Sequence, residues 1–250
     1  MTRTAQLTYL IHYLAPDRVL PENDDEKRQL LRALMNIRRP QQEHPEFLCI
    51  QDQLLQEEVK VKGVVTMQDL SSIRPNLYLW QGDITRLQVG AIVNAANNQL
   101  LGCFQPLHRC IDNAIHSQAG LQLRQACAQI IRRQGHPEET GGAKITPAYN
   151  LPADYVLHTV APIICGALME SDELLLASCY RTCLQLALQH GVTSVAFCCI
   201  GTGEFHFPNQ RAAEIAIREV TAFLSVNPTM RVIFNVFKDR DLAIYQTLLS

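Results

Sequence analysis

Hydrophobic positions along the chain fall into two regimes. From Thr4 to Ala15, Asp24 to Ile37 and Pro45 to Val61, leucines recur at helical spacing (Leu30, Leu31, Leu34; Leu48, Leu54, Leu55). Pro16, Pro21, Pro40 and Pro45 punctuate these runs, which predicts a small helical extension over residues 1–70. From Leu77 onward, short β-rich runs alternate with helical stretches. Strands are expected at Leu77–Trp80, Ala91–Val93, Ala143–Thr146, Tyr155–Val160, Ser194–Ile200 and Arg231–Val236. Helices are expected at Ile111–Gln134, Asp172–His190, Pro208–Ser225 and Asp239–Leu249, with Gly135 and Gly191 placed as left-handed stops and Pro208 in a first turn. Strands separated by helices imply βαβ units, and so an α/β domain over residues 71–250 whose mostly parallel sheet is covered on both faces. Ligands of such sheets bind beyond the carboxyl ends of the strands, here Gln81–Thr85, Asn94–Cys110, Ala161–Gly166 and Gly201–Phe207.

Composition narrows the class. Of 250 residues 47% are apolar and 18% charged, which excludes disorder, and a formal net charge of -2 provides no general field for nucleic acid or anionic membrane. Nine cysteines, an odd number at irregular spacing in a chain of this length, read as reduced thiols of a cytoplasmic protein. The run Leu7–Leu14 contains His12 and leads into Pro16 and Asp17, so it makes a poor signal peptide. No segment approaches the ~18 consecutive apolar residues of a membrane span.

Four loops carry candidate chemistry. Gly201-Thr202-Gly203-Glu204-Phe205 follows a strand and leads into a helix, so its backbone N–H groups suit a phosphate or pyrophosphate; it also reads as an ordinary βα turn. Neither Rossmann nor Walker A spacing fits, because His206 stands where a third Rossmann glycine belongs and no GK[ST] occurs. Asn94, Asn97 and Asn98 cluster where a buried strand emerges, and their amides suit either a sugar diol or a turn. Asp83, in Gly82-Asp83-Ile84-Thr85, caps the next segment or accepts from the exocyclic amine of a base. The C-x4-H-x-C cluster of Cys103, His108 and Cys110 has the donor types zinc prefers, and three protein ligands leave a position open; the competing reading makes Cys110 a small apolar helix opener and His108 a surface residue. Asp112 follows directly, as a dipole-stabilising carboxylate or a general base. Cys179, Cys183, Cys198, Cys199 and His158 read as core residues.

Taken together, GDIT (82–85), VNAANN (93–98), CIDNAIHSQAG (110–120), GGAKIT (141–146), YVLHTVAP (155–162) and CIGTGEFHFP (199–208) resemble the macrodomain family in order and spacing over residues 70–250. Where most macrodomains carry a glycine run, GCFQPLHRC stands here, which resembles the zinc-containing bacterial and fungal branch, itself preceded by a helical extension. The resemblance implies a three-layer α/β/α fold with a mixed, mostly parallel sheet. It also implies hydrolysis of mono-ADP-ribose from modified protein side chains, with Asp or Glu as the expected acceptor because a carboxylate is the better leaving group. It puts Asp83 and Ile84 on adenine, Gly201, Thr202, Gly203, Glu204 and Phe205 on the pyrophosphate, and Asn94, Asn97, Asp112 and Asn113 around the distal ribose. One zinc per chain is expected on Cys103, His108 and Cys110, with Asn97, Asp112 and Cys110 in catalysis. Zinc there either activates water or orients the ribose and acceptor oxygen; two thiolates weaken a Lewis acid, which favours orientation, with Asp112 positioning water. Expected partners are ADP-ribose and a mono-ADP-ribosylated protein, with a lipoyl-carrier protein as the guess. A non-catalytic ADP-ribose reader is the alternative, and a zinc nucleoside deaminase lacks its H-x-E and P-C-x-x-C signature.

Overall fold

Three capped helices open the chain in the computed structural model, which describes all 250 residues. They are α1 (Arg3–Leu14), α2 (Asp24–Ile37) and α3 (Pro45–Lys62), close to the predicted bounds. Thr2 and Asn23 side chains accept from Ala5 N and Glu26 N, and Asp24, Asp25 and Glu26 complement the positive end of α2. Pro45 opens α3, where its missing N–H costs nothing. The apolar stripes meet in their own cluster: Leu7, Leu10, Ile11, Leu31, Met35, Phe47, Ile50, Leu54 and Leu55, joined by Leu121 from farther along the chain.

The remaining elements are β1 (Val65–Thr66), β2 (Ser72–Arg74), β3 (Leu77–Gln81), β4 (Leu87–Gln88), β5 (Ala91–Ala95), α4 (Ile111–Ala119), α5 (Leu121–Gln134), β6 (Ala143–Pro147), β7 (Tyr155–Thr159), α6 (Glu170–Gln189), β8 (Ser194–Phe197), α7 (Asn209–Val226), β9 (Arg231–Val236) and α8 (Asp239–Leu249). Seven strands form one sheet in the order β2-β3-β9-β8-β5-β7-β6. The pairs β2–β3 and β6–β7 are antiparallel and all others parallel, so both antiparallel strands sit at the edges. Every residue of β8 is buried, as are Ala91–Asn94 of β5, because helices cover both faces in a three-layer α/β/α arrangement. A core of 42 buried residues, distinct from the N-terminal cluster, lies between the layers.

Three differences from the sequence expectations have physical causes. The single helix predicted over Ile111–Gln134 is two, because Gly120 has φ 95° and ψ 174°, a conformation closed to other residues. The strand predicted to Ile200 ends at Phe197, where the chain begins to curl toward Gly201 at φ 77°. Residues 1–70 are not wholly helical: β1 pairs in parallel with β4, so the helical part ends at Lys62.

The helical unit docks chiefly through hydrogen bonds. Gln51 Oε1 accepts from Leu121 N at 3.0 Å, and Gln51 Nε2 donates to Gln122 Oε1 at 2.7 Å. Asp52 Oδ1 accepts from Gln122 Nε2 at 2.8 Å and Asn150 Nδ2 at 2.6 Å. A Cβ at Gly120 would lie 2.5 Å from Gln51 Nε2, inside this seam. Gly120→Ala is therefore expected to add ~1–3 kcal/mol of backbone strain and to break the seam. Its urea midpoint should fall well below that of Gly135→Ala, whose φ is 80° but whose Cβ meets nothing within 4 Å.

Candidate active site

The loops after β3, β5, β7 and β8 converge at the carboxyl edge of the sheet, as Asp83, Asn94–Cys110, Ala161–Gly166 and Gly201–Phe207. Asp83 Oδ1 caps a 3-10 turn, accepting from Thr85 N at 3.0 Å and Thr85 Oγ1 at 2.7 Å, while Oδ2 has no protein donor. Ile84, next to it, is buried in the core. Buried Asn235 supports this turn, donating from Nδ2 to Gly82 O at 3.0 Å.

The turn after β8 has the chemistry of an anion cradle. The N–H groups of Gly201, Gly203, Glu204 and Phe205 donate to no protein atom. Phe207 N donates to Gly201 O at 3.0 Å and Thr202 Oγ1 to Cys199 O at 3.0 Å, which holds the turn in shape. Gly201 needs its left-handed φ of 77°, and a Cβ there would lie 3.3 Å from Ala161 and Phe207. Ile164 N donates to Phe205 O at 2.9 Å and ties the loop after β7 to the same turn.

A buried polar group lies at the end of β5. The register that sets Asn94 opposite His158 brings Asn94 Nδ2 to 3.2 Å from His158 Nδ1 and 2.8 Å from Asp112 Oδ1. Both contacts require the amide nitrogen, so Nδ1 of His158 accepts and its Nε2 carries the proton, 3.0 Å from Thr146 Oγ1. Burial pushes the Asp112 carboxyl up to about 6, against the pull of the Asn94 hydrogen bond. His116 Nε2 lies 3.5 Å from Asp112 Oδ1, and neither ring nitrogen of His116 has a hydrogen-bond partner.

Two triads place their donor atoms within 4.8 Å of one another and could hold a metal ion: Cys103, His108 and Cys110, and the buried His116, Cys127 and His158. In the first, Cys103 Sγ lies 3.5 Å from His108 Nδ1. Zinc bonds of ~2.3 Å to sulfur and ~2.0 Å to nitrogen at a tetrahedral angle separate such atoms by ~3.5 Å, so the pair fits that ion. Burial pushes the Cys110 thiol up to about 12, so its thiolate forms only against a cation. His108 Nε2 faces Glu204 Oε1 at 3.5 Å, which links the triad to the anion cradle. The second triad fits less well. Ligation through His158 Nε2 would require a proton on Nδ1, facing the amide N–H of Asn94, and burial together with the Asp112 charge drives the Cys127 thiol up despite the Arg124 charge.

The structure gathers the sequence-predicted residues at one edge, where Asn113 and Asn94 are engaged by protein partners. Asn113 turns its amide toward α2 and the loop before α4. It is fully buried, its Oδ1 accepts from Arg32 Nη2 at 2.7 Å and Asn36 Nδ2 at 3.1 Å, and its Nδ2 donates to Gln105 O at 2.9 Å. Asn94 is likewise buried, and its amide nitrogen orients Asp112 rather than lining open space. Asn97, half-buried, shapes its own loop through Gly102 O at 3.1 Å and Gln99 N at 3.0 Å. Sequence reading missed Arg32, Asn36 and Arg124, which brace this region; nothing local in the sequence marks them, because their partners lie tens of residues away.

The buried imidazoles make stability pH-dependent. Burial pushes His158 down to about 3, and burial together with the Arg124 charge lowers His116 well below its ordinary value. Their neutral-state contribution is complete above ~6.5 and is lost as pH falls below it, for His158 down to about 3 at ~1.4 kcal/mol per pH unit and for His116 in the same direction. Asp112 acts in the opposite sense between about 6 and its unfolded value of ~3.9, offsetting about one histidine. The urea midpoint should therefore be lower at pH 5 than at pH 7.5, and His158→Gln should shrink that difference.

Comparison with known proteins agrees with this geometry. The Macro domain family model matches residues 93–216. The chain is 50% identical to a protein-ADP-ribose hydrolase of Treponema medium, with 100% of each chain covered. It is 47% identical to a protein-ADP-ribose hydrolase of Staphylococcus aureus strain MSSA476, over 97% of this chain and 94% of that one. A crystal structure of the Trypanosoma brucei macrodomain in complex with ADP-ribose superposes with a TM-score of 0.68 at 30% identity, covering 84% of this chain and 92% of that chain. With half of its residues matched across its full length and the fold shared, the chain belongs to the macrodomain family of protein-ADP-ribose hydrolases.

Proposed function

We propose that the chain is a zinc-dependent hydrolase that removes mono-ADP-ribose from protein side chains, most readily from Asp or Glu. The observation that carries this reading is the Cys103, His108 and Cys110 triad standing beside Asp112 and joined through His108 and Glu204 to the cradle of free N–H groups. Asp83 Oδ2 accepts from the adenine amine, and the Gly201, Gly203, Glu204 and Phe205 N–H groups hold the pyrophosphate, with Thr202 shaping their turn. The helix dipole of α7 adds positive potential to that cradle. Cys103, His108 and Cys110 hold one zinc, which supplies positive charge for the distal ribose and acceptor oxygens.

Asp112 then does the proton work. Its Oδ1 is held by Asn94, leaving Oδ2 to position a water and take its proton. The water oxygen bonds to the anomeric carbon as the bond from that carbon to the acceptor oxygen breaks, and the departing carboxylate takes the electron pair. A carboxyl acceptor needs no protonation to leave, which is why Asp- and Glu-linked substrates suit a site with one buried base. Asn97 shapes the loop between Asn94 and the triad. The modified partner is a protein, with a lipoyl-carrier protein as the first candidate, and residues 1–70 dock on the hydrolase domain of residues 71–250.

Two measurements test this reading. The purified full chain should contain about one zinc, and Cys103→Ala should lose both the metal and turnover, with turnover in the parent abolished by chelation and restored by zinc alone. Calorimetry should separate binding from chemistry: Asp83→Ala weakens free ADP-ribose by ~10-fold or more, whereas Cys110→Ala binds it and fails to turn over. Release from Glu-linked peptides should exceed release from Ser-linked and Arg-linked ones. A metal-free preparation with full activity, or unchanged affinity in the Asp83 variant, sinks the corresponding assignment.

A further inference from the structure

The loop that carries Cys103, His108 and Cys110 has little structure of its own. Its only internal backbone bond among residues 103–110 is His108 N to Gln105 O at 3.4 Å. Side chains from elsewhere hold it instead. Arg32 Nη2, on α2, donates to the His108 carbonyl at 2.8 Å and to Asn113 Oδ1 at 2.7 Å. Asn36, one turn later on the same face, places Nδ2 3.1 Å from the Pro106 carbonyl and 3.1 Å from Asn113 Oδ1. Asn113 in turn donates from Nδ2 to Gln105 O at 2.9 Å and from its main chain to Cys110 Sγ at 3.4 Å. Three carbonyls between the first and last candidate ligand, at 105, 106 and 108, are therefore fixed from outside, two of them directly by α2.

The other end of the loop is tied to α2 as well. Arg124 is almost fully buried and has no carboxylate partner; its Nε donates to Leu101 O at 2.7 Å and its Nη1 to Met35 O at 2.8 Å and Arg38 O at 2.6 Å, at the carboxyl end of α2. Its guanidinium also lies 4.7 Å from the Phe104 ring centroid. A planar donor is suited to Arg32's position, because one nitrogen serves two acceptors in fixed directions.

We propose that Arg32, assisted by Asn36, is a positioning residue for zinc, so that α2 of the N-terminal helical unit completes the metal site by holding the His108 and Cys110 segment in place. The inference rests on reading Cys103, His108 and Cys110 as the zinc ligands. It gives the helical extension a function beyond covering apolar surface: the ligand loop lies between β5 and α4, and its brace is a helix of the separate N-terminal cluster.

The test is zinc affinity of the full-length chain, measured by chelator competition, together with the thiolate-to-cobalt charge-transfer band of the cobalt-substituted protein. Arg32→Gln should weaken zinc by ~10-fold or more and shift the cobalt band, with Arg32→Lys intermediate because it keeps the charge and loses the fork. Arg3→Gln is the control: it loosens the same helical unit at its 2.8 Å pair with Glu58, neither residue hydrogen-bonding to the loop, and should leave zinc affinity and the cobalt band at parent values. Equal weakening by Arg3→Gln would reduce the effect to general loosening and overturn the proposal. Parent zinc affinity in Arg32→Gln, with zinc lost in Cys103→Ser, would overturn it and leave the ligand assignment intact. Zinc retained in Cys103→Ser would overturn the ligand assignment and this inference with it. Should Arg32→Gln fail to fold, Asn36→Ser carries the same comparison.

Discussion

In the register that pairs Ala91 with Tyr155, Asn94 stands beside His158 with no exposure to solvent; its Oδ1 has no protein partner, and its amide nitrogen must find partners inside the protein. It finds His158 Nδ1 on the neighbouring strand and Asp112 Oδ1 on α4. A one-residue slip of β5 would turn Asn94 to the opposite face and leave both partners without a donor, at a cost of ~1–3 kcal/mol for each buried group. The pairing thus fixes three things at once: the strand register, the tautomer of His158 and the orientation of the Asp112 carboxyl, the proposed base. Asp112 lies two residues beyond Cys110, so the same hydrogen bond also limits where the triad can stand.

Around that point the cleft divides its labour by chemistry. On one side, unpaired main-chain N–H groups and a helix end present positive potential without a formal charge, which suits pyrophosphate and tolerates variation in side chain. On the other, the Cys110 thiol, which burial keeps protonated, becomes a ligand only when a cation is present. Glu204 and His108 meet between the two at 3.5 Å, so the turn with free N–H groups and the triad that could hold a metal adjoin each other.

The joint between the helical unit and the rest of the chain is polar where an accessory layer would be expected to be greasy. Leu121 is the one apolar residue of the larger part that enters the N-terminal cluster, whereas Gln51, Asp52, Arg32, Asn36 and Arg124 all cross the seam by hydrogen bonds. Such a network is directional: satisfied, it holds one arrangement, and each broken member leaves a buried group unpaired. That property suits a seam that orients a ligand loop better than one that only adds stability.

Much of this was legible in the sequence because it is local. Helical spacing of leucines located α1, α2 and α3, the six longer strands of the sheet followed from short β-rich runs, and the glycines and prolines marked ends whose backbone demands are intrinsic to those residues. The motif residues Asp83, Asp112, Cys103, His108, Cys110 and Gly201–Phe205 could be picked out for the same reason, since each stands in a short run whose residue types point to one chemistry. What the sequence could not contain was the pairing of distant groups. The break at Gly120, the turning of Asn113 toward α2 and the grip of Arg32 and Asn36 on the triad loop depend on which surfaces meet when two separate hydrophobic cores close on each other. A hydrogen bond between residues about eighty positions apart leaves no periodicity and no motif, so only the tertiary structure decided which polar side chains bind, which brace and which are spent holding others in place.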